Sequence, residues 1–383
     1  MNDNSSLGRL RTREFPWTAE TIYMDSASTG PIPERTRKRL EDFAAKRTAP
    51  YLLPDEYRMQ ILADARTEVA RLIGADTSEI ALATNTSHGI NLAASALPLK
   101  NNDVILISDR EFPANVYPWM LAERRGVKVE LVPNTENGWP NEARLLERVT
   151  DPRVRVLAIS LVQFHNGYLA DLKTLGDACR ENGVFLVVDA IQGLGHVPFD
   201  VKKTPVDILA SGGQKWLLSP WGSGFVYVKK ELLNVLEPVV TGWMAFEGTE
   251  DFTRMTEYDA TFLADGRRYE FVTLPFQDIL GMLESVSFLN QVGVENVREH
   301  TKAIKAPLKK IAEDSVIEIV SPVDCANESS IVCFTDRRAR EMYDALTKAH
   351  VICSFREGAI RLSPHLFNTE SEMDKVAEIV RGV

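Results

Sequence analysis

The sequence predicts an α/β fold, with a mostly parallel, seven-stranded type of sheet in a large domain and a smaller C-terminal α+β domain. First, short apolar runs such as "VFLVVDA" alternate with helical patterns through most of the chain. Strands that are apolar on both faces are typical of a parallel sheet covered by helices. Second, the order changes near Leu280, where two long helical patterns precede three short strands.

The elements follow from hydrophobic periodicity and from the residues that end helices. Residues 55–74 carry apolar side chains at helical spacing and end on Gly74, a residue typical of helix C-caps. Predicted strands and helices then alternate along the chain. The strands are "SEIALAT", "DVILI", "VKVELV", "RVRVLAIS", "VFLVVDA" and "VDILAS". The helices between the first five strands are "SHGINLAASAL", "ANVYPWMLAERRG", "NEARLLERV" and "ADLKTLGDACRENG".

The C-terminal part has a different composition of elements. Helical patterns "FQDILGMLESVSFLNQVG" and "VENVREHTKAIKAPLKKIAED" precede strands "VIEIV", "SSIVCFT" and "VICSF", and helices "REMYDAL" and "ESEMDKVAEIVRGV" complete the chain. We therefore predict an N-terminal segment at 1–20, a large domain at 21–280 and a small domain at 281–383.

Composition excludes several function classes. A net charge of −10 argues against nucleic acid or an anionic membrane as partner, since either requires a basic face. The first residues contain no apolar signal core, and no apolar run approaches the ~20 residues of a membrane span. The four cysteines lack zinc-ligand spacing, so we expect no metal, buried thiols and a reducing cytoplasm.

Polar residues stand at the predicted carboxyl ends of strands, where open α/β sheets bind ligands. Thr86 and Ser87 end one strand where a helix begins, an arrangement typical of phosphate sites. Ser211 and nearby Gln214 could donate to the same anion. A buried Asp189 is costly unless it meets a cation or a protonated ring nitrogen. Gln163 ends a further strand.

Lys215 lies among small and apolar residues in "ASGGQKWLLSPWGSG". It is either a solvated cation at a turn or a desolvated amine that can form an imine. A phosphate site, an acid for a ring nitrogen and an imine-forming lysine together describe a pyridoxal phosphate (PLP) site. Each feature is weak alone, and the combination in sequence order carries the prediction.

The stretches "VVDAIQGLGHVPFDV" and "VDILASGGQKWLLSPWGSGFVYV" closely resemble the aspartate and lysine loops of fold-type I PLP enzymes. The subgroup is the class V aminotransferases, which contains cysteine desulfurases, C–S lyases, kynureninase and isopenicillin N epimerase-like proteins. The resemblance runs from "YMDSASTGPIP" to "IRLSPHLFNT". It implies the fold of the PLP-dependent transferase large domain.

The resemblance implies roles for individual residues. Lys215 matches the catalytic lysine that binds PLP covalently, and Asp189 matches the partner of the ring nitrogen. Phe112 stands where the desulfurases have the histidine that stacks on the ring, and phenylalanine cannot carry protons. The other implied cofactor ligands contact the phosphate or the phenolic oxygen: Thr86, Ser87, Ser211 and Gln214 for the phosphate, and Gln192 with Gln163 for the oxygen.

The same resemblance extends to the substrate and to a partner subunit. Thr273 in "RRYEFVT" matches the threonine that reaches the phosphate of the neighbouring subunit, which implies a homodimer with active sites at its interface. Arg361 matches the arginine that binds the substrate α-carboxylate. Arg356 is a second candidate, with a solvent-facing position as the alternative. His88 and His165 are possible assistants, with structural roles as the alternative.

The reaction is not fixed by these residues. Desulfurases carry a mobile cysteine loop where this chain has only "REGA", and Cys353 falls within the preceding strand pattern. The sequence thus favours β-elimination at a C–S bond of a cysteine-type amino acid without an enzyme persulfide. Cα epimerisation and transamination are the alternatives within the enzyme class. A non-catalytic binding protein with the same fold is the alternative outside it.

Overall fold

The computed structural model describes residues 6–314 and 316–383, so residues 1–5 of the predicted N-terminal segment lie outside the described residues. The α-helices are Ser6–Glu14 (α1), Glu34–Arg47 (α2), Asp55–Ile73 (α3), Thr86–Ala96 (α4), Tyr117–Ala122 (α5), Glu142–Arg148 (α6), Leu172–Asn182 (α7), Phe276–Val292 (α8), Val294–Ala303 (α9), Ala306–Glu313 (α10), Ala339–Lys348 (α11) and Glu370–Arg381 (α12). The strands are Ile22–Tyr23 (β1), Ile80–Ala83 (β2), Val104–Ser108 (β3), Lys128–Val132 (β4), Val154–Ser160 (β5), Phe185–Asp189 (β6), Ile208–Gly212 (β7), Gly224–Val228 (β8), Glu318–Ile319 (β9), Val332–Thr335 (β10), Val351–Ile352 (β11), Ser354–Arg356 (β12) and Ala359–Leu362 (β13).

Seven strands form the central sheet in the order β2-β8-β7-β6-β5-β3-β4. Strands β4, β3, β5, β6 and β7 are parallel, whereas β8 runs antiparallel to both of its neighbours. The predicted mostly parallel sheet is therefore confirmed. Strand β8 was not predicted as a separate element, and its pairing with β7 makes the lysine-bearing loop a connection between adjacent strands.

Both faces of this sheet are buried, which explains the uninterrupted apolar strands. Neighbouring residues of β6 pack into different apolar clusters. Val188 packs with residues of α3 and α8, and Val187 packs with residues of α4. The central strands such as β3 and β6 are therefore apolar at almost every position, whereas the edge strand β4 carries Lys128 and Glu130. The carboxyl ends of the parallel strands remain as the place for polar side chains.

The C-terminal part contains a four-stranded antiparallel sheet in the order β12-β13-β10-β9. A third apolar cluster lies between this sheet and α10, α11 and α12, and Met24 from the N-terminal part contributes to it. The predicted strand "VICSF" divides into β11, which pairs in parallel with β1, and β12. The predicted domain limits stay a prediction.

One predicted C-terminal helix is two helices in the structure. The pattern over 294–314 divides into α9 and α10, and Pro307 lies in the first turn of α10. Proline has no backbone N–H to donate to the preceding turn, so it favours a helix start. None of the helices in the described ranges combines the length and apolar character that a membrane-spanning helix requires.

Candidate active site

Lys215 lies in the loop that joins β7 to β8, and the N-terminal segment packs directly against this loop. The backbone N–H of Gly30 donates to the Gln214 carbonyl at 2.8 Å. A Cβ atom at Gly30 would lie 1.9 Å from the Lys215 carbonyl oxygen, so only glycine permits this approach. The Lys215 Nζ lies 5.4 Å from the centroid of the Phe112 ring, which covers one side of the amine.

The Lys215 amine is partly neutral near physiological pH. Its pKa is lowered to about 8, mainly by burial and also by the charges of Arg361 and Arg356, whereas the carboxylates of Asp189 and Asp25 oppose the shift. A desolvated lysine with such a pKa is a nucleophilic amine. This environment favours the reactive-amine interpretation over the solvated cation.

Asp189 ends β6 as a buried carboxylate, with 2% of its surface exposed. It accepts a hydrogen bond from the Ile191 backbone N–H at 3.0 Å, and it forms no ion pair within 6–314 and 316–383. Burial raises the pKa of Asp189 to about 7, and the nearby charge of Glu111 adds to the shift. A protonated ring nitrogen would supply the missing cation, so the donor set fits PLP at this position.

Glu111 is a second buried acid at the same edge of the sheet, and the sequence analysis did not identify it. It accepts hydrogen bonds from the Ser160 backbone N–H at 2.8 Å, from the Ser160 hydroxyl, from Gln163 at 2.6 Å and from Asn115 at 3.2 Å. Ser160 pairs with Asp189 across β5 and β6, which brings the two acids near each other. The available signal was a charged residue shortly after the apolar strand β3.

Gln163 is oriented by this acid. Its Nε2 donates to Glu111, whereas its buried Oε1 has no hydrogen-bond partner in the described part of the chain. Gln192 is oriented differently, because its Nε2 donates to the Ala27 carbonyl at 3.0 Å and its Oε1 accepts from the Trp216 indole at 3.0 Å. One N–H of the Gln192 amide therefore remains available for a ligand.

The predicted phosphate ligands come together where α4 begins beside the end of β7. The buried Thr86 hydroxyl accepts from the Gly212 backbone N–H at 2.9 Å, and Ser211 is fully buried next to it. Ser87 is exposed and Gln214 is half-buried. The free N–H groups in the first turn of α4 and these hydroxyls form an arrangement suited to an anion.

Arg361 lies in β13 with 2% of its surface exposed, and its guanidinium is held from several sides. Its Nη1 donates to the Phe164 carbonyl at 2.8 Å, and its Nη2 donates to the Ser28 hydroxyl at 2.7 Å and lies 3.5 Å from Asp25. Asp25 also accepts from the Ser354 hydroxyl at 2.7 Å. The buried Nε has no partner within the described residues. These supporting residues were not predicted.

The remaining substrate candidates have distinct surroundings. Arg356 is exposed at the end of β12, and its charge lowers the pKa of both Lys215 and Arg361. His88 and His165 each approach a backbone carbonyl at 3.3 Å, and burial lowers the pKa of each imidazole. Neither histidine hydrogen-bonds to Lys215 in the described ranges. Their roles stay predictions.

Thr273 is exposed on the protomer. It lies in a cavity of about 370 Å³ whose lining includes Arg58 and Phe276. No hydrogen bond joins it to Thr86 or Ser211 in the chain as described. Its contact with a partner subunit stays a prediction.

Fold and site together define a class of enzyme. The class-V aminotransferase family model matches residues 22–376, and the chain belongs to this family. Members of this family use pyridoxal phosphate, so the predicted family and the predicted cofactor are confirmed at that level.

Individual proteins are similar to the chain over most of its length. An uncharacterized aminotransferase, YcbU of Bacillus subtilis, is 32% identical over 81% of this chain and 80% of its own length. The isopenicillin N epimerase of Streptomyces clavuligerus is 26% identical over 93% of both chains. The apo cysteine desulfurase of Thermococcus onnurineus has the same fold, with a TM-score of 0.85 and 20% identity over 97% of this chain and 98% of that one.

Proposed function

We propose that the chain is a PLP-dependent lyase that cleaves the C–S bond of a cysteine-type amino acid by β-elimination. The observation that carries the proposal is the Lys215 amine, with a pKa of about 8, beside the buried Asp189 and the buried Arg361. This set can hold an amino acid and remove a proton from its Cα. The products are a thiol and 2-aminoacrylate, and water hydrolyses the latter to pyruvate and ammonia.

The cofactor would lie between the strand ends that carry these groups. Asp189 would pair with the ring nitrogen, Gln192 would donate to the phenolic oxygen, and Thr86 and Ser211 would bind the phosphate. Ser87 and Gln214 would complete the phosphate ligands in this proposal, and Gln163 would lie near the phenolic oxygen. When bound, PLP withdraws electrons from the substrate Cα and so stabilises the negative charge left there when a bond to Cα breaks.

The chain's own groups favour elimination. Arg361 would bind the α-carboxylate, with Arg356 at the edge of the site. The neutral Lys215 amine would take the Cα proton, and the electron pair of the C–S bond would leave with sulfur. Phe112 offers an apolar ring that cannot give a proton to the opposite side of Cα, which argues against epimerisation.

Sulfur transfer to Cys353 is disfavoured by the same structure. The expectation of buried thiols is wrong for Cys325, which is exposed, whereas Cys179 and Cys333 are buried. Only Glu357 and Gly358 separate β12 from β13, which leaves no space for a long cysteine-bearing loop. Cys353 is buried, and burial raises the pKa of its thiol to about 12. A thiol in that state is a poor nucleophile. The released sulfur would therefore leave with the product.

The test is a product assay on PLP-loaded protein. Cystine, cysteine and S-substituted cysteines are supplied in turn, and pyruvate, ammonia and thiol are measured. We expect equal amounts of pyruvate and ammonia with wild type and none with Lys215→Ala, whereas Lys203→Ala serves as a matched control with wild-type rates. Conversion of PLP to its amine form without pyruvate would favour transamination. Exchange of the Cα hydrogen for solvent deuterium without product would favour epimerisation.

We also propose that the active enzyme is a homodimer in which Thr273 reaches the phosphate of the partner subunit. Its exposure on the protomer and its lack of hydrogen bonds to Thr86 and Ser211 support this. Mixing inactive Lys215→Ala with Thr273→Ala chains, after denaturation and joint refolding, would create one complete site per hybrid dimer. Recovery of activity is expected. Activity no higher than that of Thr273→Ala alone would contradict contact in trans.

A further inference from the structure

Trp216 follows the reactive lysine and is completely buried. Its indole N–H donates to Gln192 Oε1 at 3.0 Å, and on the other side Gln192 Nε2 donates to the Ala27 carbonyl at 3.0 Å. An indole nitrogen can only donate and a carbonyl can only accept, so these two partners determine which end of the amide is oxygen. The amide orientation is therefore fixed by chemistry on both sides.

The indole itself is held rigidly. Its ring lies 3.8 Å from the His196 ring and 5.6 Å from the His365 ring, measured between centroids. His365 Nδ1 accepts from the Leu366 backbone N–H, so the proton is on Nε2, which donates to the Trp216 carbonyl at 3.1 Å. His196 Nε2 bonds to the Gln192 carbonyl at 2.6 Å. Trp216 and Gln192 thus belong to one buried, hydrogen-bonded unit.

We propose that Trp216 is a positioning residue, whose indole N–H fixes the Gln192 amide so that its remaining N–H points at the phenolic oxygen of the cofactor. This inference rests on the proposed function, in which Gln192 donates to that oxygen. Removing the indole N–H leaves Gln192 Oε1 without a partner and allows its amide to rotate. The donor would then lose its fixed direction.

The consequence is a change in the cofactor's titration. The phenolic oxygen is negatively charged in the high-pH form of lysine-bound PLP, and an N–H donor stabilises that charge. A weaker donor therefore moves the colour change of the bound cofactor to higher pH. A hydrogen bond of ordinary strength corresponds to a shift of about half a pH unit.

Other titrating groups near this pair do not interfere. Burial holds the pKa of His196 at about 3 and that of His365 at about 4. The titratable groups that contribute to these lowered pKa values are His365, Arg298 and Lys305 for His196, and His300 for His365. Both imidazoles therefore stay neutral between pH 6 and pH 9. Asp189 and Lys215 are present in the wild type and in both variants, so their contribution to the spectrum is common to all three proteins.

The experiment compares visible absorption spectra of PLP-loaded full-length protein across pH 6 to 9. Trp216→Phe keeps an aromatic ring and removes the N–H. Trp119→Phe is the matched control, because Trp119 is also fully buried but its indole N–H has no partner in the described part of the chain. We expect the midpoint to rise by about half a unit in Trp216→Phe and to stay unchanged in Trp119→Phe.

A double-variant cycle tests whether Trp216 acts through Gln192. Gln192→Leu should raise the midpoint, and adding Trp216→Phe to it should cause no further shift. An unchanged midpoint in Trp216→Phe, or a full additional shift in the double variant, would overturn the proposal. If Trp216→Phe does not fold, incorporation of benzothienylalanine at position 216 removes the N–H and preserves the shape. Absence of a Lys215-dependent visible band in wild type would instead refute the proposed function.

Discussion

Replacing Asp189 by asparagine should stabilise the cofactor-free protein at high pH. The buried carboxylate has a pKa of about 7 in the folded protein against an ordinary 3.8, so folding is opposed by its charge above pH 7. This unfavourable contribution is complete above the folded pKa and disappears as the pH falls to 3.8. From the difference between the folded and unfolded pKa values, Asp189 lowers the free energy of unfolding by about 4 kcal/mol at pH 8 and by about 2 kcal/mol at pH 5.5.

The measurement is urea unfolding of cofactor-free wild type and Asp189→Asn at one protein concentration. Asparagine keeps an oxygen that can accept from the Ile191 N–H. We expect the free energy of unfolding of Asp189→Asn to exceed that of wild type by about 4 kcal/mol at pH 8 and by about 2 kcal/mol at pH 5.5. An equal gain at both pH values, or a loss at pH 8, would refute the reasoning.

Glu270→Gln provides a control of opposite sign. Glu270 is 1% exposed, but Arg66 donates two hydrogen bonds to it at 2.8 Å and 2.6 Å. Neutralising this acid leaves the Arg66 charge buried without a partner, which typically costs about 3–5 kcal/mol. The two substitutions thus separate a carboxylate that lacks a cation from one that has its cation within the chain.

Three further predictions concern the lysine loop and the substrate arginine. Borohydride trapping of PLP on Lys215, mapped by mass spectrometry, should increase as the pH rises through about 8; a trapping yield that does not change between pH 7 and pH 9 would contradict a lowered pKa of this amine. Gly30→Ala should lower the free energy of unfolding in urea by about 2 kcal/mol and weaken PLP binding. Gly382→Ala, where a Cβ meets nothing closer than 3.4 Å, should leave that free energy nearly unchanged. Equal losses of stability in the two variants would contradict the steric argument. Arg361→Lys should raise KM by about tenfold or more while the visible PLP band is retained; loss of the band would show that Arg361 supports the cofactor instead.

Local sequence rules predicted those site residues that stand at the ends of strands. Asp189, Ser211 and Thr86 each end or follow an apolar run, and parallel strands bring such ends to one edge of the sheet. The resemblance added residues such as Arg361, which lies outside these strand ends. Hydrophobic periodicity and the position after an apolar run were sufficient to identify these candidates, because both features lie within a few residues of each polar side chain.

The supporting residues could not be predicted in the same way. Asp25 and Ser354 meet at 2.7 Å across 329 positions of sequence, and Glu111 meets Ser160 across 49. These acids can be buried because hydrogen-bond donors from elements distant in sequence contact them. No local sequence pattern indicates which distant residues will supply those donors. Strand β8 escaped prediction for a related reason, since it is defined by its antiparallel pairing with β7 and β2.

The choice of reaction follows from the proton carriers near Cα in the proposed site. Lys215 is a basic side chain with a pKa of about 8 that interacts electrostatically with both Asp189 and Arg361, and the Phe112 ring beside it cannot carry a proton. A reaction with a single base succeeds when the leaving group departs as a stable anion. A thiolate does so near neutral pH, because an ordinary thiol has a pKa of about 8.5, whereas an alkoxide would need an acid to protonate it. In the proposed function, the scarcity of proton donors therefore favours sulfur as the atom that leaves.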